Sequence, residues 1–183
     1  MRKVTAGLFH SIDGVVEAPD QWQFDAFDAE LGAALGRVMS AVDTVILGRK
    51  GYEDWAGYWP NAKADQDFAG FINNVPKFVA SRTLKGPLAW QNATLIAGDL
   101  EPFVRDLKGR PGGDIAVMAS ISLVRALFLA GLIDELTLIT HPVIAGSGRR
   151  HLFELTEPTT RLALLASERT SKGNVVSTYT LAK

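Results

Sequence analysis

The sequence predicts an α/β protein: a mixed, mainly parallel sheet with flanking helices and an antiparallel hairpin near its C-terminal end. Three observations carry this. Short apolar strand segments alternate with segments of helical period from Val4 to Thr140, the pattern of a parallel sheet with crossover helices. Two alternating segments at 161–170 and 175–181 are then joined by Ser171-Lys172-Gly173-Asn174, a hairpin signature. The chain has 183 residues, 47% apolar and 21% charged, enough to bury a core as one domain over 1–183.

Val4 to Ile12 reads as the first strand, with Val4, Ala6, Leu8, His10 and Ile12 on one face, and Asp13-Gly14 ends it. From Asp25 to Val42 the apolar residues Phe27, Leu31, Ala34, Leu35, Val38 and Met39 recur at three- and four-residue steps, which predicts an amphipathic helix. Thr44–Leu47 is a short buried strand stopped by Gly48. Helical pieces follow near 50–55 and 65–73, then strands at 77–80 and 93–96. Phe103, Val104 and Leu107 mark a short helix that Pro111-Gly112-Gly113 breaks. Asp114–Met118 is apolar on both faces, as a central strand must be. Ser120 is the expected N-cap of a helix carrying Val124, Leu127 and Phe128, and Gly131 ends it before a sixth strand at 135–140.

Composition excludes several functions. With 19 Lys+Arg against 20 Asp+Glu the net charge is −1, which argues against a general nucleic-acid or anionic-membrane binder. There is no cysteine, so thiolate metal sites and thiol catalysis by this chain are ruled out. The three histidines lack metal-ligand spacing, and no metal is expected. The first residues read as a strand rather than a signal peptide, and no apolar run approaches the ~20 residues of a membrane span. The expected location is the cytoplasm.

Three turns share one design: a short apolar strand, then small or polar residues, then a helix or irregular segment. They are Gly48-Arg49-Lys50-Gly51, Ser81-Arg82-Thr83 and Ala119-Ser120-Ile121. In a parallel sheet such turns line one edge, where ligands bind, and free helix N–H groups with arginines suit phosphate. Read from residue types alone, these features are equally open to turn punctuation and solvated charge. Neither the P-loop nor the G-x-G-x-x-G fingerprint is present.

The order and spacing of several blocks resemble the dihydrofolate reductase superfamily, in particular small stand-alone proteins related to the C-terminal reductase domain of the bifunctional riboflavin enzyme. The blocks are Ser11-Ile12-Asp13-Gly14, Val45–Glu53, Lys77–Arg82, Leu123–Leu136 and His141–Gly148. The resemblance implies that superfamily's three-layer fold, NADPH binding and hydride transfer to a flat nitrogen heterocycle, of the 5-amino-6-(5-phosphoribosylamino)uracil or pterin type. It implies that Gly48, Arg49 and Lys50, with Ala119, Ser120 and Ile121, cradle the pyrophosphate, and that Ser81 and Arg82 meet the adenosine 2′-phosphate. Two departures stand out: Ala119-Ser120 replaces the family's usual glycine, and Gly51 stands where dihydrofolate reductases usually carry threonine.

Asp13, at the mouth of the first strand, is the candidate proton donor, with a plain Asp-Gly turn as its structural alternative. Asp25, Asp28 and Glu30 front the first helix, where charge–dipole complementation also accounts for them. Trp22 and Trp55 are candidates to stack on the heterocycle, and His141 and Gly146 to orient it; core or interface packing is the alternative for the tryptophans. A homodimer is expected, burying the apolar strand Leu136–Thr140 and the aromatic residues. Competing readings are a non-catalytic nucleotide-binding or scaffolding dimer that keeps the fold, and a flavodoxin-like flavin binder, against which the terminal hairpin speaks.

Overall fold

The computed structural model describes residues 1–154 and 156–182. Eight strands form one sheet: β1 (Val4–Ser11), β2 (Val42–Gly48), β3 (Lys77–Ala80), β4 (Ala93–Leu95), β5 (Asp114–Met118), β6 (Glu135–His141), β7 (Leu162–Arg169) and β8 (Val175–Leu181). Their order is β4-β3-β2-β5-β1-β6-β8-β7. The pairings from β4 to β6 are all parallel, while β8 runs antiparallel to both β6 and β7. The helices are α1 (Ala29–Ala41), α2 (Arg49–Tyr58), α3 (Gln66–Asn74), α4 (Leu100–Gly109) and α5 (Ile121–Leu129).

Strand alternation sends successive residues into two cores. Val4, Ala6, Ile46, Ile115 and Val117 pack with Val104 and Leu107 of α4 and Val124, Leu127 and Phe128 of α5. Val45, Leu47, Val79 and Ala116 pack with Tyr52 of α2, Ile72 of α3 and Trp90. Each fully buried Leu, Ile or Phe here contributes about 1.5–3 kcal/mol. Asp114–Met118 is indeed central, lying between β2 and β1.

Several boundaries differ from the sequence expectation, and two of them have a local polar reason. α1 starts at Ala29 rather than Asp25, because Asp28 Oδ1 accepts the Leu31 N–H (2.9 Å) and caps the helix. Upstream of that cap, Asp25 is drawn to Lys172 of the terminal hairpin. β1 ends at Ser11, whose Oγ accepts the Val15 N–H (2.9 Å) and turns the chain. The expected dimer surface is also corrected. β6 is paired on both edges, by β1 and β8, and its Leu136 and Ile139 are buried within the sheet.

Candidate functional site

Because β1 to β6 run parallel, their C-terminal ends lie along one edge. Gly48 is in register with Ala80, Leu47 with Met118, and Ser11 with His141. The Gly48-Arg49 corner is therefore flanked by Ser81-Arg82 on one side and Ala119-Ser120 on the other. The three corners share a rim, as the sequence reading requires.

Two of them interlock through glycine. A β-carbon on Gly48 would sit 2.5 Å from Ser120 Oγ, and one on Gly51 would sit 2.0 Å from the Ala119 carbonyl oxygen. Ala119 itself is left-handed, with φ +51°. An alanine there costs about 1–2 kcal/mol relative to a right-handed conformation. The two departures noted in the sequence are thus one feature: the space of a residue-51 side chain is filled by the Ala119 peptide.

The rim is poor in negative charge. α2 opens without a side-chain cap and with no acid in its first turn. α5 opens at Ser120, whose Oγ accepts the Leu123 N–H (3.4 Å). Arg49 is half-exposed and paired with Glu53 (2.9 Å), an i,i+4 pair worth only about 0.3–0.5 kcal/mol and readily exchanged for a stronger anion. Ser81 Oγ accepts the N–H groups of Thr83 (3.1 Å) and Leu84 (3.0 Å), which fixes the turn that presents the exposed Arg82.

An opening follows at the next strand. Gly7 lies in mid-strand of β1, in register with Thr137 of β6 and following the Ala6–Val117 pair of β5, yet it is exposed. A β-carbon added there would meet nothing within 4 Å. A glycine in a central strand with free space above it marks close approach by a ligand. The sequence reading missed it; a lone glycine inside an apolar strand run was the available signal.

Asp13 does not stand ready to give a proton. Its Oδ1 accepts from Ser11 Oγ (2.6 Å) and the Ala145 N–H (2.9 Å), and its Oδ2 from the Gly146 N–H (2.9 Å). Those hydrogen bonds, the Ser11 one first, pull its pKa down to about 2. The same carboxylate holds the loop carrying Gly146, which is left-handed at φ +82°. That loop is further tied to β1's exit by Val16 N–H to the Arg150 carbonyl (3.0 Å) and by Arg150 to Glu17 (2.7 Å).

The aromatic residues divide. Trp22 is 2% exposed, donates its Nε1–H to the Glu17 carbonyl (2.8 Å) and leaves no ring face open to a ligand. Trp55 stands edge-on to Trp59 and Phe68 on the α2–α3 side. Trp22 is not placed to stack on a heterocycle, whereas Trp55 stays partly exposed. His141 is buried between Phe9 and Trp22, and desolvation lowers its pKa, so it is neutral at pH 7. Its Nε2 lies 3.0 Å from Gln23 Nε2. Both line an open depression of about 350 Å³ at the end of β6. His10 pairs with Thr140 Oγ1 (3.3 Å), and His151 Nε2 with the Asp13 carbonyl (3.1 Å). Among the described residues no group of acids and histidines is placed to hold a metal, and no helix is long and apolar enough to cross a membrane.

The family model for the RibD C-terminal domain matches residues 2–176. This chain belongs to that family. The Bacillus subtilis (strain 168) uncharacterized protein YyaP is 27% identical over 152 residues, covering 81% of this chain and 79% of YyaP. Among solved structures, a putative riboflavin biosynthesis protein from Shewanella sp. PV-4 superimposes with a TM-score of 0.74 at 18% identity, covering 99% of both chains. A Thermotoga maritima diaminohydroxyphosphoribosylaminopyrimidine deaminase/5-amino-6-(5-phosphoribosylamino)uracil reductase gives 0.69 at 12% identity, over 99% of this chain and 57% of that one. Enterococcus faecalis dihydrofolate reductase, complexed with NADP(H), gives 0.63 at 11% identity, over 99% and 97%. At these identities the structural likeness establishes a dihydrofolate-reductase-like fold. Family and fold are of reductase type.

Proposed function

We propose that the chain is an NADPH-dependent reductase that delivers hydride to a flat nitrogen heterocycle, of the 5-amino-6-(5-phosphoribosylamino)uracil or pterin type. The observation that carries this is the shared rim: three acid-poor corners side by side, followed one strand on by the open space over Gly7. NADPH fits the residues present. Arg82 and Ser81 would take the adenosine 2′-phosphate. The amides of Gly48-Arg49-Lys50 and Ala119-Ser120-Ile121, at two adjacent helix N-termini, would take the pyrophosphate. The cofactor supplies the hydride; the chain supplies binding, orientation and exclusion of water. Asp13, charged and triply hydrogen-bonded at neutral pH, acts in this reading as the clamp that holds the Ala145-Gly146 loop. Water at the open end of the cleft is then the proton source.

The test is oxidation of NADPH, followed by its absorbance, across a panel of pterins, aminopyrimidine phosphates and quinones. Turnover with a ring-nitrogen substrate supports the reading. Cofactor binding with no oxidation across the panel moves the chain to the non-catalytic, nucleotide-binding alternative. A homodimer belongs to the same reading and is seated on the terminal hairpin, where Leu164 and Leu165 are more than half exposed. Light scattering that finds only monomer at high concentration removes it.

A further inference from the structure

We propose that the depression at the end of β6 seats the ring of the substrate, that Gln23 reads an N–H on that ring, and that Phe24 closes over its face. The identity of the occupant as substrate rests on the reductase reading; the recognition chemistry rests on the pocket alone.

Position comes first. Neighbouring strands lie about 4.8 Å apart, so the end of β6 is about 10 Å from that of β5 and about 19 Å from that of β3. A dinucleotide laid along the rim from the β3 corner to β1 leaves β6 as the next station. There, Gln23, Phe24, Ala26, His141, Pro142 and Val143 line about 350 Å³, the low end of the range for small-molecule sites and suited to one or two rings. The charged groups at its lip, Asp25 and Lys172, are paired with each other (3.1 Å), so the site favours a neutral ring.

Hydrogen-bond bookkeeping then fixes what Gln23 offers. Asn174 is buried, and its Nδ2 donates to the Ala26 carbonyl (2.7 Å) and Thr170 Oγ1 (2.9 Å). Its Oδ1 and the buried His141 Nδ1 each lack a hydrogen-bond partner among the described residues. Pairing these two buried orphans with each other places the hydrogen on Nδ1, directed at the Asn174 amide oxygen, because the Asn174 nitrogen is already committed; Asn174 accordingly favours the protonated imidazole. His141 Nε2 is then an acceptor, and it takes the Gln23 Nε2–H at 3.0 Å. Gln23 cannot flip without setting its oxygen against that lone pair. Its Oε1 is left in the pocket wall as an acceptor without a protein partner among the described residues. The complementary ligand edge is a ring N–H, as in a lactam or amino-substituted heterocycle.

Phe24 supplies the second mark. It is left-handed, at φ +48°, and its side chain is 80% exposed at the lip. A bulky residue in that region is strained, and the exposed ring adds an unburied apolar face. The Ala26 N–H to Gln23 carbonyl bond (3.0 Å) and the Lys172 grip on Asp25 hold the turn that imposes this conformation. Strain held in place beside a cavity is a feature of ligand clamps, and a flat ring in the cavity would cover the exposed phenyl.

Pteridine-2,4-dione and its 1,3-dimethyl derivative test this, with affinity read from quenching of tryptophan fluorescence and NADPH titrated in parallel. The parent compound binds wild type about tenfold more tightly than the dimethyl compound, which lacks the N–H edge. Gln23→Leu abolishes that preference. Phe24→Ala, at an exposed position where folding is not at stake, weakens both compounds about fivefold. Both variants keep wild-type NADPH affinity. Equal affinity of wild type for the two compounds, a preference retained in Gln23→Leu, or no binding of either compound overturns the proposal. If NADPH binds while neither compound does, this inference fails and the reductase reading stands. The full pattern without NADPH binding does the reverse.

Discussion

Replacing Gly51 with alanine adds one carbon, and the structure fixes what it meets. That carbon falls 2.0 Å from the Ala119 carbonyl oxygen, 2.7 Å from Ala119 Cβ and 2.9 Å from the Ala119 carbonyl carbon. A close carbon–oxygen contact settles at about 3.3 Å, so the two backbones must part by more than about 1 Å. Neither is free to move: Gly51 is in the first turn of α2, and Ala119 joins β5 to the cap of α5. Overpacking usually costs about 1–3 kcal/mol, and two backbone segments place this case at about 3. With about 2.1 cal/mol/K of unfolding entropy for each of the 183 residues, Tm falls by about 8 °C. Adding Ala119→Gly frees the left-handed peptide to shift. The double variant should recover stability, with a coupling of about 1 kcal/mol in the double-mutant cycle. Calorimetry on the four proteins checks this. A Gly51→Ala Tm within about 2 °C of wild type would refute the interlocked-corner account.

Three further outcomes are expected. Gly7→Val places a β-branched residue in a strand with nothing in its way, so Tm holds or rises while turnover is lost, because the side chain fills the cleft; turnover at the wild-type rate would mean the space is not the site. Asp13→Ala frees the Ala145 and Gly146 amides, which should lose hydrogen-exchange protection, and raises KM more than kcat. Because Asp13's folded pKa is about 2, below its ordinary 3.8, its contribution to stability is present above pH 3.8 and is lost as pH falls toward 2; unchanged exchange at 145–146 would contradict the clamp. Lys77 is 1% exposed, its Nζ donates to the carbonyls of Ile72 and Val75 (both 2.8 Å), and burial pushes its pKa from 10.5 to about 8. Between those values the unfolded chain holds a proton that the folded one has released, so stability rises with pH. Relative to Lys77→Met, wild-type Tm should climb from pH 8 to pH 10.5; a flat difference would contradict the shift.

What the sequence disclosed follows from where each signal resides. Lys77–Ala80 and Asp114–Met118 were legible to the residue because each is a short apolar run bounded by Pro76 or Gly113. The rim was legible because Gly48-Arg49, Ser81-Arg82 and Ala119-Ser120 each end a parallel strand, and parallel strands end together. The start of α1 was not, since Phe27 fits the helical period while Asp28 caps the helix and also accepts the Lys172 N–H from the distant hairpin (3.0 Å). Residue type pointed to Trp22 as a stacking platform, but its place under the turn at Glu17 depends on the loop's path. Gly7 carried a local mark, a lone glycine in an apolar strand run, but its open space depends on cross-strand register, and the role of Gln23 depends on a relay through Asn174 that is not written locally.

The most direct test of the central claim is a titration of the purified protein with NADPH and NADH, read by thermal shift and by energy transfer from tryptophan to the nicotinamide. Saturable NADPH binding is predicted. At about 100 times Kd it stabilises by about 2.7 kcal/mol, a Tm rise of about 7 °C. NADH should bind about tenfold more weakly, and Arg82→Ala should erase the difference between the two. No shift and no energy transfer at millimolar NADPH would contradict the account.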